Sequence, residues 1–400
     1  MKFYIVFNTL WVTSVHSGSL LPRLVQRSTF NIRTYHQYSF TSAISQMSGY
    51  KNFAVVGAGN LGKFILNAFA AKFAEGAISS VTLLTRSSKG HEDVKAKGVK
   101  VIAVDYSSPS LSSSLSNVDV VISTIADDAL HLQINLALAA QEAGVKLFIP
   151  SEFGLANEGL TDGVYIPKNE LKTKLKETGL PYTLYYTGPF TDFVLEPGFA
   201  KVWGFDFADG KATIHGDGSA LISWTTCRDV ARFVVHSLTE FAEEDLHWKT
   251  FAIEGDRISL NQLVERWDTH TGKKLSVTHI PISIDKEELV KNPSNFLPLL
   301  NIELDSGHGT VTKTEGELAN NLWPEWKPAK VLEVLKDAYQ FRITYKLRFK
   351  TIIQSHRVNH HFDKVRPSRI MQQLNSVVNT LRYSETSDRF RTALRFADRC

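Results

Sequence analysis

Between Phe53 and Tyr186 the apolar residues follow two rhythms that alternate along the chain. Short apolar runs at 53–56, 81–85, 99–104, 118–125, 146–150 and 182–186 have the length and composition of buried strands. Between the first two, Leu61, Phe64, Ile65, Ala68, Phe69 and Phe73 recur at helical spacing. Segments 129–143 and 165–178 predict two further helices, the second stopped by Gly179 with Pro181 just beyond. Strand and helix in alternation require crossover connections. The predicted fold is therefore α/β, a Rossmann-type doubly wound parallel sheet over 50–190.

After Gly188 the rhythm loosens. A glycine-rich stretch at 198–218 is followed by a predicted helix at 225–238, strands at 250–253 and 275–280, a helix from Leu260 and a closing helix at 331–339. These predict a smaller α/β substrate-binding portion over 191–340 that caps the open sheet, with room for the chain to return to that sheet. No internal repeat is present.

With 43% hydrophobic and 22% charged residues, the 400-residue chain has globular composition and is excluded from the disordered and collagen-like classes. Its two cysteines, Cys227 and Cys400, exclude a disulfide scaffold or a multi-cysteine zinc site and suit a reducing compartment. The net charge of +4 hides an uneven distribution. Residues 1–46 hold Lys2, Arg23, Arg27 and Arg33 and no acid, while 341–400 hold thirteen Lys or Arg against four acids, so the middle is acidic. The tail reads as a basic, poorly ordered extension. Nucleic-acid binding by it is the weakest of the functional readings, because aromatic residues are sparsely interleaved with its charge. The apolar stretch 3–12 is too short to span a bilayer. Residues 1–46 read as an over-extended start before Met47, which implies a cytoplasmic protein, or as a transit peptide, which implies a mitochondrial one.

Gly57-Ala58-Gly59-Asn60-Leu61-Gly62 follows the first strand and opens the first helix, the context in which G-x-G-x-x-G marks a dinucleotide site. Gly57 permits the tight turn, Gly59 admits a pyrophosphate, and Gly62 allows close helix–strand packing. The helix N-terminus supplies main-chain N–H groups to the phosphates. At the end of the second strand an NAD site would place a carboxylate; here Thr85 is followed by Arg86, Ser87, Ser88 and Lys89. A guanidinium and hydroxyls suit a 2′-phosphate, so NADP(H) is the expected cofactor, with Arg86 as its principal partner. Lys89 is either a second contact or a solvated loop charge. Asp105 either meets the adenine or caps the turn after the third strand. Thr124, Ile125 and Ala126 end the fourth strand, where such sheets open their ligand crevice. Phe153, after the fifth, either lies against a nicotinamide ring or belongs to the core.

Val55 to Gly62, Thr85-Arg86-Ser87 and Phe148-Ile149-Pro150-Ser151-Glu152-Phe153-Gly154 resemble the isoflavone reductase-like and NmrA-like group of atypical short-chain dehydrogenases. Gly179 to Thr183, His215 to Gly218 and Thr226 to Ala231 match further blocks, and the resemblance spans roughly 50–340. It implies NADPH binding and hydride transfer to an activated double bond, ether or carbonyl of a small aromatic or apolar substrate. It also implies that Lys168 is the general acid/base. The alternative within the group is a non-catalytic redox sensor that binds NAD(P) and acts through a protein partner. None of the twelve tyrosines is followed four residues later by lysine, so protonation falls to Lys168 and not to a Tyr-x-x-x-Lys pair.

Tyr165, Phe190, Phe193 and Trp224 are either pocket walls or core. Glu152 is read as bonding a backbone turn, Cys227 as a small buried residue, and His215 as a satisfied loop histidine. The histidines are scattered and make no metal constellation.

Overall fold

Alternate residues of β1 (Asn52–Val56) feed two different cores, as the period of two along a strand requires. Phe53 and Val55 pack with Ile65 and Phe69 on one face; Ala54 and Val56 pack with Leu136 and Leu171 on the other. The computed structural model describes residues 48–339 with Ala126, Asp162, Val164 and Ser294 excepted, so the expectations for 1–46 and 341–400 lie outside the described residues.

The chain continues through α1 (Asn60–Ala74), β2 (Ser80–Thr85), α2 (Glu92–Lys95), β3 (Lys100–Ala103), β4 (Val120–Ser123), α3 (Gln133–Glu142), β5 (Leu147–Ile149), α4 (Tyr165–Thr178) and β6 (Thr183–Tyr186). The first five strands form one parallel sheet in the order β3-β2-β1-β4-β5. A parallel bridge between Phe148 and Tyr182 brings β6 alongside β5. The order reverses between β1 and β4, which makes the crevice at their carboxyl ends the topological switch point. The predicted helix over 129–143 starts instead as a 3-10 turn at Asp127–Leu132 and becomes α-helical only from Gln133.

Beyond Gly188 come α5 (Thr191–Val194), α6 (Pro197–Val202), β7 (Phe205–Asp206), β8 (Lys211–His215), β9 (Ile222–Trp224), α7 (Cys227–Glu240), β10 (Lys249–Ala252), β11 (Asp256–Ile258), α8 (Leu260–Thr271), β12 (Ser276–Ile280), α9 (Ser283–Lys291) and α10 (Phe296–Asp305). Helical residues 331–339 follow. Two of these elements belong to the first layer. β10 pairs in parallel with β6, and α7 lies against α1, placing Val230, Phe233 and Val234 in the core with Ile65 and Phe69. Each such fully buried side chain contributes roughly 1.5–3 kcal/mol.

The remainder has its own core. Strands β12, β8 and β7 form a small mixed sheet and β9 pairs antiparallel with β11. They enclose Trp203, Phe205, Phe207, Trp224, Trp267 and Tyr339, so the 331–339 helix closes this core. α8 begins with a Ser259/Gln262 capping box and ends at Gly272, whose φ is 67°.

Candidate functional site

The glycine turn is held from below by one hydroxyl. Thr124 Oγ1 lies 3.1 Å from both the Val56 and the Gly57 carbonyl oxygens and donates to this pair. Gly57 takes a φ of 95°, a conformation glycine adopts without strain, and its N–H bonds to the Leu84 carbonyl at 2.9 Å. A Cβ at Gly62 would stand 2.4 Å from the Gly57 oxygen and 2.6 Å from Thr124 Oγ1, so only glycine lets α1 start this close to the strand. At Gly59 a Cβ would meet nothing within 4 Å: that side of the turn faces outward. No side chain caps α1, no acid occupies its first turn, and Asn60 is exposed while Leu61 anchors in the core. An uncapped, acid-free helix start beside an open glycine face is a fitting cradle for a pyrophosphate.

Arg86 and Lys89 are exposed on the loop after β2, which Lys95 braces through a 2.8 Å bond to the Ser88 carbonyl. The Arg86 charge reaches Tyr106, where burial raises the phenol pKa and the guanidinium opposes the rise. Asp105 caps the turn that follows β3. Its Oδ1 accepts from the Ser107 hydroxyl at 2.7 Å and the Ser107 N–H at 2.9 Å, and these bonds hold its carboxyl below the usual range. Phe153 is half-buried and stacks on Tyr185, with centroids 5.9 Å apart and planes at 16°.

Lys168 sits in the first turns of α4 with its side chain 14% exposed. Its Nζ is 3.3 Å from Glu152 Oε2 and donates to the Glu152 main-chain oxygen at 3.2 Å. Glu152 is buried, so sequence reasoning missed the role of its carboxylate: it is the centre of a polar cluster. Asn157 Nδ2 donates to Glu152 Oε2 at 2.5 Å, and Lys172 Nζ lies 3.8 Å from Oε1. Lys172 also donates to Asn157 Oδ1 at 2.8 Å. The Tyr186 hydroxyl, at the end of β6, has Glu158 Oε1 at 2.7 Å and Asn157 Oδ1 at 3.0 Å as acceptors. Burial first, then the Glu158 bond, pushes its pKa up. The one sequence signal for this cluster is that Lys168 and Lys172 are four apart on one helix, which points both at the same spot.

The remaining candidates divide cleanly. Trp224 is fully buried and donates its indole N–H to the Ile258 carbonyl at 3.0 Å, so it is core and no pocket wall. Tyr165 is likewise buried, with burial the first cause of its raised pKa and Glu303 the second. Phe190 is half-buried and Phe193 is exposed. Cys227 is buried and its thiol pKa is raised, first by burial and then by Asp192. His215 lies in β8, not in a loop, and its Nδ1 meets Asp285 at 2.5 Å. Among the described residues no group of three or more His, Cys, Asp or Glu is placed to hold a metal ion, and no helix is long and apolar enough to cross a membrane.

Sheet order, glycine turn and helix start together define a dinucleotide-binding protein of Rossmann type. The sequence profile of the NmrA-like family matches residues 50–333, and the chain belongs to that family. It is 28% identical over 313 residues to an isoflavone reductase homolog P3 of Arabidopsis thaliana, covering 71% of this chain and 97% of that one. To phenylcoumaran benzylic ether reductase Pyrc5 of Pyrus communis it is 29% identical over 306 residues, covering 70% and 95%. The leucoanthocyanidin reductase–NADPH complex of Vitis vinifera superposes with a TM-score of 0.62 at 18% identity, covering 72% of this chain and 99% of that one.

Proposed function

We propose that this chain is an NADPH-dependent reductase that delivers hydride to a small aromatic or apolar substrate. The observation that carries it is the placement of Lys168, held by Glu152 just past the carboxyl end of β5, in the same parallel sheet whose β1 leads into the glycine turn. The names of the similar proteins, an isoflavone reductase homolog and a phenylcoumaran benzylic ether reductase, support the same substrate class.

In this reading residues 50–190 hold the cofactor and 191–340 form the substrate side. The phosphates lie over Gly57, Gly59, Asn60, Leu61 and Gly62, with Thr124 fixing the turn beneath them. Arg86, assisted by Lys89, meets the 2′-phosphate. Asp105 shapes the adenine end by holding its turn, and Phe153 borders the nicotinamide. The bound cofactor supplies a hydride equivalent. The chain supplies the proton: Lys168 gives it to the atom on which negative charge collects as hydride arrives, which is worth about 10²–10⁴ in rate.

In the sensor alternative Lys168 serves only as a counter-ion to the buried Glu152 carboxylate. The experiment is NADPH oxidation by the full chain against a panel of phenylpropanoids, quinones and enones. Turnover on at least one of these, abolished by Lys168→Ala with NADPH affinity kept, is the expected result. NADPH binding with no oxidation across the panel would favour the sensor.

A further inference from the structure

Two lysines share one carboxylate here, and the arithmetic of their charges matters when one of them loses a proton. Glu152 is 1% exposed, Lys168 14% and Lys172 16%. A carboxylate this buried needs a counter-ion, and leaving it unpaired is strongly unfavourable. Were Lys168 its sole partner, release of the Lys168 proton would strand that charge, and the proton would be held back. Lys172 removes this penalty. We propose that Lys172 and Glu152 are positioning residues which keep the cluster charge-balanced while Lys168 donates its proton, an inference that rests on the role given to Lys168 above.

The balance is simple. Before transfer the cluster holds two ammonium groups and one carboxylate. An N–H bond of Lys168 breaks, its electron pair stays on Nζ, and the proton forms a new bond to the substrate atom that carries the charge brought by hydride. One ammonium, Lys172, and one carboxylate, Glu152, remain. The neutral Lys168 amine still has the Glu152 main-chain oxygen to bond, 3.2 Å away, so it stays in place for reprotonation by solvent. Asn157 ties the two halves, bonding Glu152 through Nδ2 and Lys172 through Oδ1.

The cluster is also set off from its neighbours. Tyr186 faces it from β6, paired with Glu158 and Asn157, and Tyr165 lies within the field of both Glu152 and Glu303. Glu303 in α10 is itself paired with His308 at 2.8 Å. The 3-10 turn packed along α4 carries Asp127, Asp128 and His131, and α3 carries Glu142; His131 and Glu142 are exposed. Glu152 is the acid on which both Lys168 and Lys172 converge.

The test reads the Lys168 amine directly. The full chain is acetylated with trace acetic anhydride across an alkaline pH series, and Lys168 labelling is quantified by peptide mass spectrometry. Glu152→Gln removes the negative charge and should move half-maximal Lys168 labelling to lower pH. Lys172→Met removes a positive charge and should move it to higher pH. Each shift should be about one pH unit, a tenfold change in labelling at fixed pH. Lys172→Arg should restore the wild-type curve. NADPH binding and thermal melting establish that each variant is folded. Curves that stay put, move in only one variant, or move the same way in both would overturn the proposal. Turnover that survives Lys168→Ala would instead overturn the role of Lys168, leaving the labelling result to stand alone.

Discussion

Gly62 faces the carbonyl oxygen of Gly57 so closely that a methyl group on it would lie 2.4 Å from that oxygen. The contact sets the distance between α1 and β1, and with it the shape of the turn. Gly62→Ala must push the helix outward or twist the turn, at a cost of about 1–3 kcal/mol. A lowered melting temperature together with weakened NADPH binding is the expected outcome; unchanged melting and affinity would show that the turn yields freely.

In the proposed reading Arg86 sets the preference between the two cofactors. A charge-assisted hydrogen bond is worth about 1.5–3 kcal/mol, so Arg86→Ala should weaken NADPH roughly ten- to a hundredfold and leave NADH nearly untouched. Calorimetry with both nucleotides measures it. Equal losses for the two would place Arg86 away from the 2′-phosphate.

Asp119 makes part of the stability depend on pH. Burial alone would raise its carboxyl pKa, but the Lys51 and Asn52 N–H groups, each at 2.9 Å, and the Lys146 ammonium at 2.9 Å outweigh that and hold it below the usual range. A pKa lower in the folded than in the unfolded chain stabilises fully above the ordinary carboxylate value near ~4, and the benefit disappears as pH falls through the folded value. Asp119→Asn should therefore cost stability at neutral pH and flatten the acid limb of a denaturation-versus-pH series. An acid limb identical to wild type would contradict this.

Asp229 explains a sequence block that no chemistry accounts for. Its carboxylate accepts from the Thr226 hydroxyl at 2.8 Å, from Arg232 at 2.9 Å and from the Ala329 N–H at 2.9 Å. It thereby ties the start of α7 to the segment that leads into the 331–339 helix. Asp229→Ala leaves those donors without their acceptor and should destabilise by about 1–3 kcal/mol, read from urea unfolding, while NADPH affinity in the folded protein stays within a fewfold.

Much of this was legible along the chain because it depends on neighbours in sequence. Strand and helix periods of 53–186, the glycine turn, and a basic rather than acidic end to β2 all follow from local spacing, since a strand alternates every residue and a tight turn spans only a few. What tertiary structure alone decided involves residues far apart. That β10 would pair with β6 and α7 would lie on α1, after more than fifty intervening residues, reflects which apolar faces remain to be covered once the first five strands have paired. Thr124 was legible as a residue at the crevice, yet its hydroxyl beneath the glycine turn depends on β4 lying beside β1. Glu152 stands sixteen residues before Lys168, and only the folding of α4 back across β5 makes one the other's counter-ion. Buried charge forces such pairings, because a carboxylate removed from water must find its cations wherever the fold delivers them.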